Sequence, residues 1–198
     1  MSQYQIIEDC SPYYIRFTHK GINDLIEYCK KCTPEVQQKF RHYPLPPTEA
    51  NEVLKLTPIS TLMPLQVNRV SLFMSPPGIY YRAHKDGLAD RFSINYTVII
   101  KDDKCITSWY KDDDLKQYPI DTLGGLSREC VGFDPIQHKS IKNMIAQPGE
   151  CILFNTDIFH DWDNKNSDNY RIVLTLRIKE SLRGKTYFED ARKMLFGY

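Results

Sequence analysis

Within Gly78-Ile79-Tyr80-Tyr81-Arg82-Ala83-His84-Lys85-Asp86-Gly87, an imidazole and a carboxylate stand two residues apart. In extended backbone, positions i and i+2 point to one face, so His84 and Asp86 can aim at a common point. Two histidines and one carboxylate converging this way hold ferrous iron on one side and leave positions open for substrate chemistry. A third ligand has to come from elsewhere, and His160 in Phe154-Asn155-Thr156-Asp157-Ile158-Phe159-His160-Asp161-Trp162 fits. It follows a strand pattern and precedes the Asp163-to-Asn169 turn, so it can reach the mouth of the same barrel. Arg171 follows eleven positions later, opening the last strand pattern. A forked, always-charged guanidinium at the bottom of a metal pocket suits a dicarboxylate co-substrate, which two parallel hydrogen bonds can hold. Each piece has a plainer reading. A lone histidine is more often a satisfied loop residue, and Arg171 also fits half of a surface salt bridge. The conjunction carries the metal reading.

The elements that must position these residues are legible as patterns. Tyr4 to Ile7 and Tyr13 to Phe17 are β-rich runs split by Ser11-Pro12. Gly21 to Lys31 places Ile22, Leu25, Ile26 and Cys29 at i, i+3, i+4 and i+7, an amphipathic helix. Thr33-Pro34-Glu35 predicts the start of a second helix, stopped by Pro44, Pro46 and Pro47, and Thr48 to Leu56 a short third. From Leu65 the period changes to two. Gln66 to Met74 alternates as a strand, and Ser75-Pro76-Pro77-Gly78 turns the chain into the His84 segment. Arg91 to Ile100 sets Phe92, Ile94, Tyr96, Val98 and Ile100 on an apolar face, with Ser93, Asn95 and Thr97 on a polar one. Cys105 to Tyr110 reads as its hairpin partner after Asp102-Asp103-Lys104. Residues 111–148 read as short strands joined by long loops, Gly149 to Asn155 as a strand, and Thr186 to Leu195 as a C-terminal helix. Tyr170 to Ile178 repeats the two-faced alternation, with Ile172, Leu174, Leu176 and Ile178 on its apolar side.

One-sided strands behind amphipathic helices predict a mainly β fold, a double-stranded β-helix (jelly-roll or cupin-like) core packed by N-terminal helices. We expect a single domain over 1–198: helical support over 1–64, the β core over 65–180 and the C-terminal helix over 181–198. If the apolar strand faces meet the helices, Asn95 and Arg171 fall in the lumen beside His84. An open, solvated sheet face is the alternative.

A formal net charge of +1 and a pI near 7.6 offer no electrostatic footprint for nucleic acid or membrane. Met1 to Cys10 lacks the charged region and apolar run of a secretory leader, so a cytoplasmic protein with reduced thiols is the expectation. Cys29-x-x-Cys32 has no second pair to complete a zinc site and reads as two semi-buried thiols on a helix.

His84-x-Asp86, distal His160 and trailing Arg171 together resemble the Fe(II)/2-oxoglutarate-dependent oxygenases, and within them the aspartyl/asparaginyl β-hydroxylase-like and prolyl-hydroxylase-like groups. Pro77-Gly78 is similar to the turn preceding the first metal histidine in the aspartyl/asparaginyl group, and Leu153 to His160 to its approach to the distal histidine. The resemblance spans roughly Gln66 to Ile178. It implies Fe(II) on His84, Asp86 and His160, with 2-oxoglutarate and O2 as co-substrates. Arg171 would hold the 5-carboxylate, and Asn95, eleven positions beyond His84, would help hold the 1-carboxylate. Tyr81, Ser93 and Thr97 join them as candidate cofactor contacts. Two departures matter: Val173 stands where many relatives have Ser, and Phe73 where a hydroxyl often contacts 2-oxoglutarate. Ser71, Ser75, Thr97 and Tyr81 are the candidates to serve instead. Halogenating relatives replace the carboxylate by a small residue, so Asp86 points to hydroxylation. The implied substrate is an amino acid, a peptide side chain or a small metabolite. Two rivals are a cupin-type metal enzyme without 2-oxoglutarate and a catalytically silent jelly-roll binding or structural module.

Overall fold

Two-residue alternation makes most of this chain strand, and the side each strand buries decides where the helices go. The computed structural model describes residues 4–33, 41–58, 66–86, 91–111, 118–119, 131–132, 139–179 and 188–198. In chain order these form β1 (Tyr4–Cys10), β2 (Tyr14–His19), α1 (Ile22–Cys32), β3 (Arg41–Pro44), α2 (Pro47–Leu56) and β4 (Gln66–Ser75). Next come β5 (Ile79–Lys85), β6 (Phe92–Ile99), β7 (Ile106–Trp109), β8 (Tyr118–Pro119), β9 (Val131–Gly132) and β10 (Lys142–Met144). The chain continues with β11 (Cys151–Asn155), β12 (His160–Asn164), β13 (Arg171–Lys179) and α3 (Phe188–Phe196).

The strands lie in two antiparallel sheets, a larger one ordered β1-β2-β11-β6-β13-β4-β3 and a smaller one ordered β10-β7-β12-β5-β9-β8. From β4 to β7, and again from β10 to β13, consecutive strands alternate between the sheets. That alternation is a double-stranded β-helix, the expected jelly-roll class. Phe92, Ile94, Tyr96 and Val98 of β6 and Ile172, Leu174, Leu176 and Ile178 of β13 are buried in one core. Ile22, Leu25, Ile26 and Cys29 of α1, Val53 of α2, and Phe188, Ala191 and Leu195 of α3 complete it. The helices therefore back the larger sheet and leave its other face turned toward the smaller one. Cys29 is fully buried within this core, and burial pushes its thiol up to about 12. Cys29 and Cys32 are both free thiols, as the packing reading expects.

Two expectations are corrected. The helix predicted from Thr33 lies over 34–40, outside the described residues, but its last stretch, Arg41–Pro44, is strand. It pairs antiparallel with β4, Arg41 against Met74, because the outer edge of β4 offers unpaired backbone groups that an extended segment satisfies. Cys105 to Tyr110 is no hairpin partner of β6. Both edges of β6 are already taken, by β11 and β13, so the Asp102-Asp103-Lys104 corner carries the chain across to the smaller sheet. There β7 pairs with β10 and β12. Within 111–148 the short strands β8, β9 and β10 appear, and 112–117, 120–130 and 133–138 lie outside the described residues. Among the described residues no helix is long and apolar enough to cross a membrane.

Leu174 sits at the centre of the larger sheet, between Leu72 and Tyr96 in register, with no exposure. Leu174→Ala removes buried methyl groups from a packed site and should cost about 2–5 kcal/mol of stability. Urea unfolding followed by circular dichroism checks this, and an unchanged midpoint would place the core elsewhere.

Candidate functional site

Register between β12 and β5 assembles the histidines: His160 faces His84, and Trp162 faces Tyr81. Between these pairs, Arg82 and Ala83 of β5 oppose Asp161 alone, a β-bulge. The extra residue puts Tyr81 and His84 on one face although they are an odd number apart, and their rings meet at 4.8 Å. Simple alternation does not reveal that neighbour relation. Asp86 follows β5 directly, and its backbone N–H donates to the Thr156 carbonyl at 3.2 Å, tying it to the approach to β12.

His84 Nδ1 lies 2.8 Å from the Arg82 carbonyl, and His160 Nδ1 lies 2.9 Å from the Ile158 carbonyl. A carbonyl only accepts, so each Nδ1 carries a proton and donates it there, which turns each Nε2 toward the other side of the ring. One ligand atom each from His84, Asp86 and His160 lie within 4.8 Å of one another. His84 Nε2 is 3.5 Å from Asp86 Oδ1, and the two imidazole centroids are 4.6 Å apart. The Phe154 ring packs edge-on against His160 at 4.7 Å. Burial, then the neighbouring His84, pushes the His160 pKa down to about 3, so the ring is neutral at ordinary pH. Two imidazoles and one carboxylate on one side are a donor set that fits a divalent first-row metal.

Burial opposes ionisation of Asp86, but the Arg177 guanidinium outweighs it and holds the carboxyl well below the usual range. Arg177 Nη1 donates to Asp86 Oδ2. Sequence reasoning missed this partner. The signal was present, because the alternation that turns Arg171 into the lumen turns Val173, Thr175 and Arg177 the same way.

Arg171 crosses from the larger sheet to the smaller. Its Nη1 lies 3.3 Å from Thr107 Oγ1 and 3.4 Å from Cys105 Sγ, and its Cζ sits 4.5 Å over the Trp162 ring. Its Nε is buried without a partner, and no carboxylate pairs with it among the described residues. Burial lowers its pKa, as expected for a cation away from water. Register orders the lumen face between Arg171 and Arg177. Thr97 lies opposite Val173, Asn95 and Ser71 opposite Thr175, and Ser93 opposite Arg177. Ser71 Oγ, Asn95 Oδ1 and Thr97 Oγ1 are all buried and have no hydrogen-bond partner among the described residues. Buried polar atoms normally find partners, so this row on the same face as Arg171 fits a polar group that supplies both donors and acceptors. Of the residues expected from sequence, His84, Asp86 and His160 cluster, Tyr81 flanks His84, and Ser93, Asn95, Thr97 and Arg171 share the facing sheet.

The site thus belongs to a double-stranded β-helix that carries its chemistry between its sheets, and solved structures share that fold. The similar structures include EvdO2 from Micromonospora carbonacea var. aurantiaca, with TM-score 0.57 and 12% identity over 96% of this chain and 98% of that one. EvdO2 has also been solved with 2-oxoglutarate. The non-heme alpha-ketoglutarate-dependent carbocyclase SnoK from nogalamycin biosynthesis matches with TM-score 0.55 and 10% identity, over 84% of this chain and 79% of its own. HygX from Streptomyces hygroscopicus, solved with nickel and 2-oxoglutarate bound, matches with TM-score 0.52 and 9% identity, over 87% and 84%. The sequence matches no protein-family model and no curated protein. At these identities the likeness is one of fold.

His160 stays neutral in the folded chain at pH values where the unfolded chain, with an ordinary pKa near 6.5, takes up a proton. Stability of the chelator-treated protein should therefore be full above about pH 6.5 and fall toward pH 3. This one group contributes a slope of up to about 1.4 kcal/mol per pH unit. Asp86, also depressed, adds loss at the acid end. Urea midpoints across that range check the sign, and His160→Gln should flatten the upper part of the curve.

Proposed function

We propose that the protein is an Fe(II)- and 2-oxoglutarate-dependent dioxygenase that hydroxylates a C–H bond of an amino acid, a peptide side chain or a small metabolite. One observation carries the reading: a His84–Asp86–His160 cluster shares a lumen with a buried Arg171 that no carboxylate pairs among the described residues. The fold shared with EvdO2 and HygX, both solved with 2-oxoglutarate, supports the same co-substrate.

In this reading His84 Nε2, His160 Nε2 and a carboxylate oxygen of Asp86 hold Fe(II). Bound iron with 2-oxoglutarate and O2 supplies oxidative decarboxylation to succinate and CO2, with one oxygen atom delivered to the C–H bond. The chain itself binds, orients and excludes water. The Nδ1–H bonds to the Arg82 and Ile158 carbonyls fix both imidazoles with Nε2 inward. Arg177 keeps Asp86 ionised and limits its rotation. Arg171 takes the 5-carboxylate through charge-assisted bonds, with Thr107 and the Trp162 face setting the guanidinium plane. Asn95 helps hold the 1-carboxylate, and Thr97, Ser93 and Tyr81 complete the lining. Asp86 fills the ligand position that halogenation would need open, which favours hydroxylation. The free thiols Cys10, Cys29, Cys32, Cys105 and Cys151 suit a reducing cytoplasm.

Asp86→Ala removes the anionic ligand and should sharply weaken iron retention, read as metal stoichiometry after gel filtration. Arg171→Ala should keep its metal but raise the 2-oxoglutarate Kd about 10²- to 10³-fold. Leaving a desolvated charge without its partner costs roughly 3–5 kcal/mol. Anaerobic titration of the iron-loaded protein with 2-oxoglutarate measures this. Wild-type affinity in Arg171→Ala would replace the oxygenase reading with a cupin-type metal enzyme that needs no 2-oxoglutarate.

A further inference from the structure

Across the β13–β4 ladder, Arg177 stands directly opposite Arg69. Facing side chains of an antiparallel pair lie about 4.5–5.5 Å apart at Cβ, where like charges repel. Asp86 neutralises Arg177. Among the described residues no carboxylate pairs with Arg69. An anion that settled beside Arg69 would meet an uncompensated charge.

His42 belongs to the same face. It lies opposite Phe73 in register, its ring packs on the Phe73 ring at 4.6 Å, and its Nε2 is buried without a partner among the described residues. Burial, with the charges of Arg69 and Arg177 nearby, pushes its pKa down to about 4. His42 is thus a neutral ring whose Nε2 is free to join a hydrogen bond. The Arg177 guanidinium carbon lies 6.0 Å from the centre of the same Phe73 ring. Arg69, His42 and Phe73 therefore share one face of the larger sheet with Arg177, whose guanidinium holds the Asp86 carboxylate. Arg69 is six strand positions from Ser75, which faces Arg171, about 20 Å along the chain. One small dianion held by Arg171 does not also satisfy Arg69. Among the described residues, the charges of Fe(II) and three arginines would outnumber those of Asp86 and 2-oxoglutarate and leave a positive balance for a further anion.

We propose that Arg69, with the His42 imidazole beside it, is the substrate's anion subsite, and that the substrate carries an oxyanion, a carboxylate or a phosphate, docked there with its reacting C–H toward the metal. This rests on the oxygenase reading above. The planar fork of arginine matches either oxyanion through two parallel hydrogen bonds.

The test uses the full chain loaded with Mn(II) and saturated with 2-oxoglutarate, which occupies Arg171 first. Fluorine NMR relaxation is then read for 4-fluorobenzoate, 4-fluorophenyl phosphate and neutral 4-fluorobenzamide. Saturable paramagnetic relaxation reports binding close to the metal. At least one anion should bind about tenfold or more tightly than the amide. Arg69→Gln should remove that preference and Arg69→Lys should restore part of it. Circular dichroism confirms that each variant folds, and His42→Gln serves as an independent variant with a smaller loss. The benzoate and phosphate arms decide which oxyanion fits. Equal binding of acid and amide, no saturable relaxation by either anion, or undiminished anion binding in Arg69→Gln overturns the subsite. Failure of wild-type protein to bind 2-oxoglutarate counts against the oxygenase reading instead, and the same probes with Mn(II) alone still judge Arg69.

Discussion

Antiparallel pairing of β12 with β5 brings His160 opposite His84, and the chemistry read into this protein depends on that contact. The two strands are separated by some seventy residues of chain, yet their ladder lets two imidazoles approach to a centroid distance of 4.6 Å. The bulge at Arg82 and Ala83 then turns Tyr81 onto the same face. Backbone carbonyls finish the arrangement. By accepting from Nδ1 of each ring, Arg82 and Ile158 leave both Nε2 atoms directed at one point.

The helices make such a site tolerable. Stacked on one face of the larger sheet, they supply the apolar burial, with Leu25, Val53, Ile94 and Leu174 among the fully buried residues. The opposite face is released from that duty and carries Ser71, Ser93, Asn95, Thr97 and Thr175. Unpartnered polar atoms there would cost roughly 1–3 kcal/mol each if they stayed unsatisfied.

Charge in the lumen is distributed, not cancelled. Arg177 pairs with Asp86, while Arg171 rests on Trp162 and on neutral acceptors. A cation without a counter-ion in a buried setting is costly and therefore informative. Among the described residues Arg177 pairs with a carboxylate of the cluster, while no carboxylate pairs with Arg171 or with Arg69, which faces Arg177 across the ladder.

Local patterns in the sequence determined the strands and helices whose period is carried by neighbours. The faces of β6 and β13, the apolar stripe of α1 and the same-side placement of His84 and Asp86 follow from backbone geometry within a few residues. Arg171 in the lumen and the jelly-roll class were legible for the same reason. Pairing was not. Only the tertiary structure decided that Arg41–Pro44 is an edge strand on β4 and that β7 leaves β6 for the other sheet, because strand partners are chosen by which edges remain open. It also decided the Arg177–Asp86 pair, which joins residues 91 positions apart. Periodicity states which way a side chain points along its own strand. What it meets there depends on the sheet placed opposite.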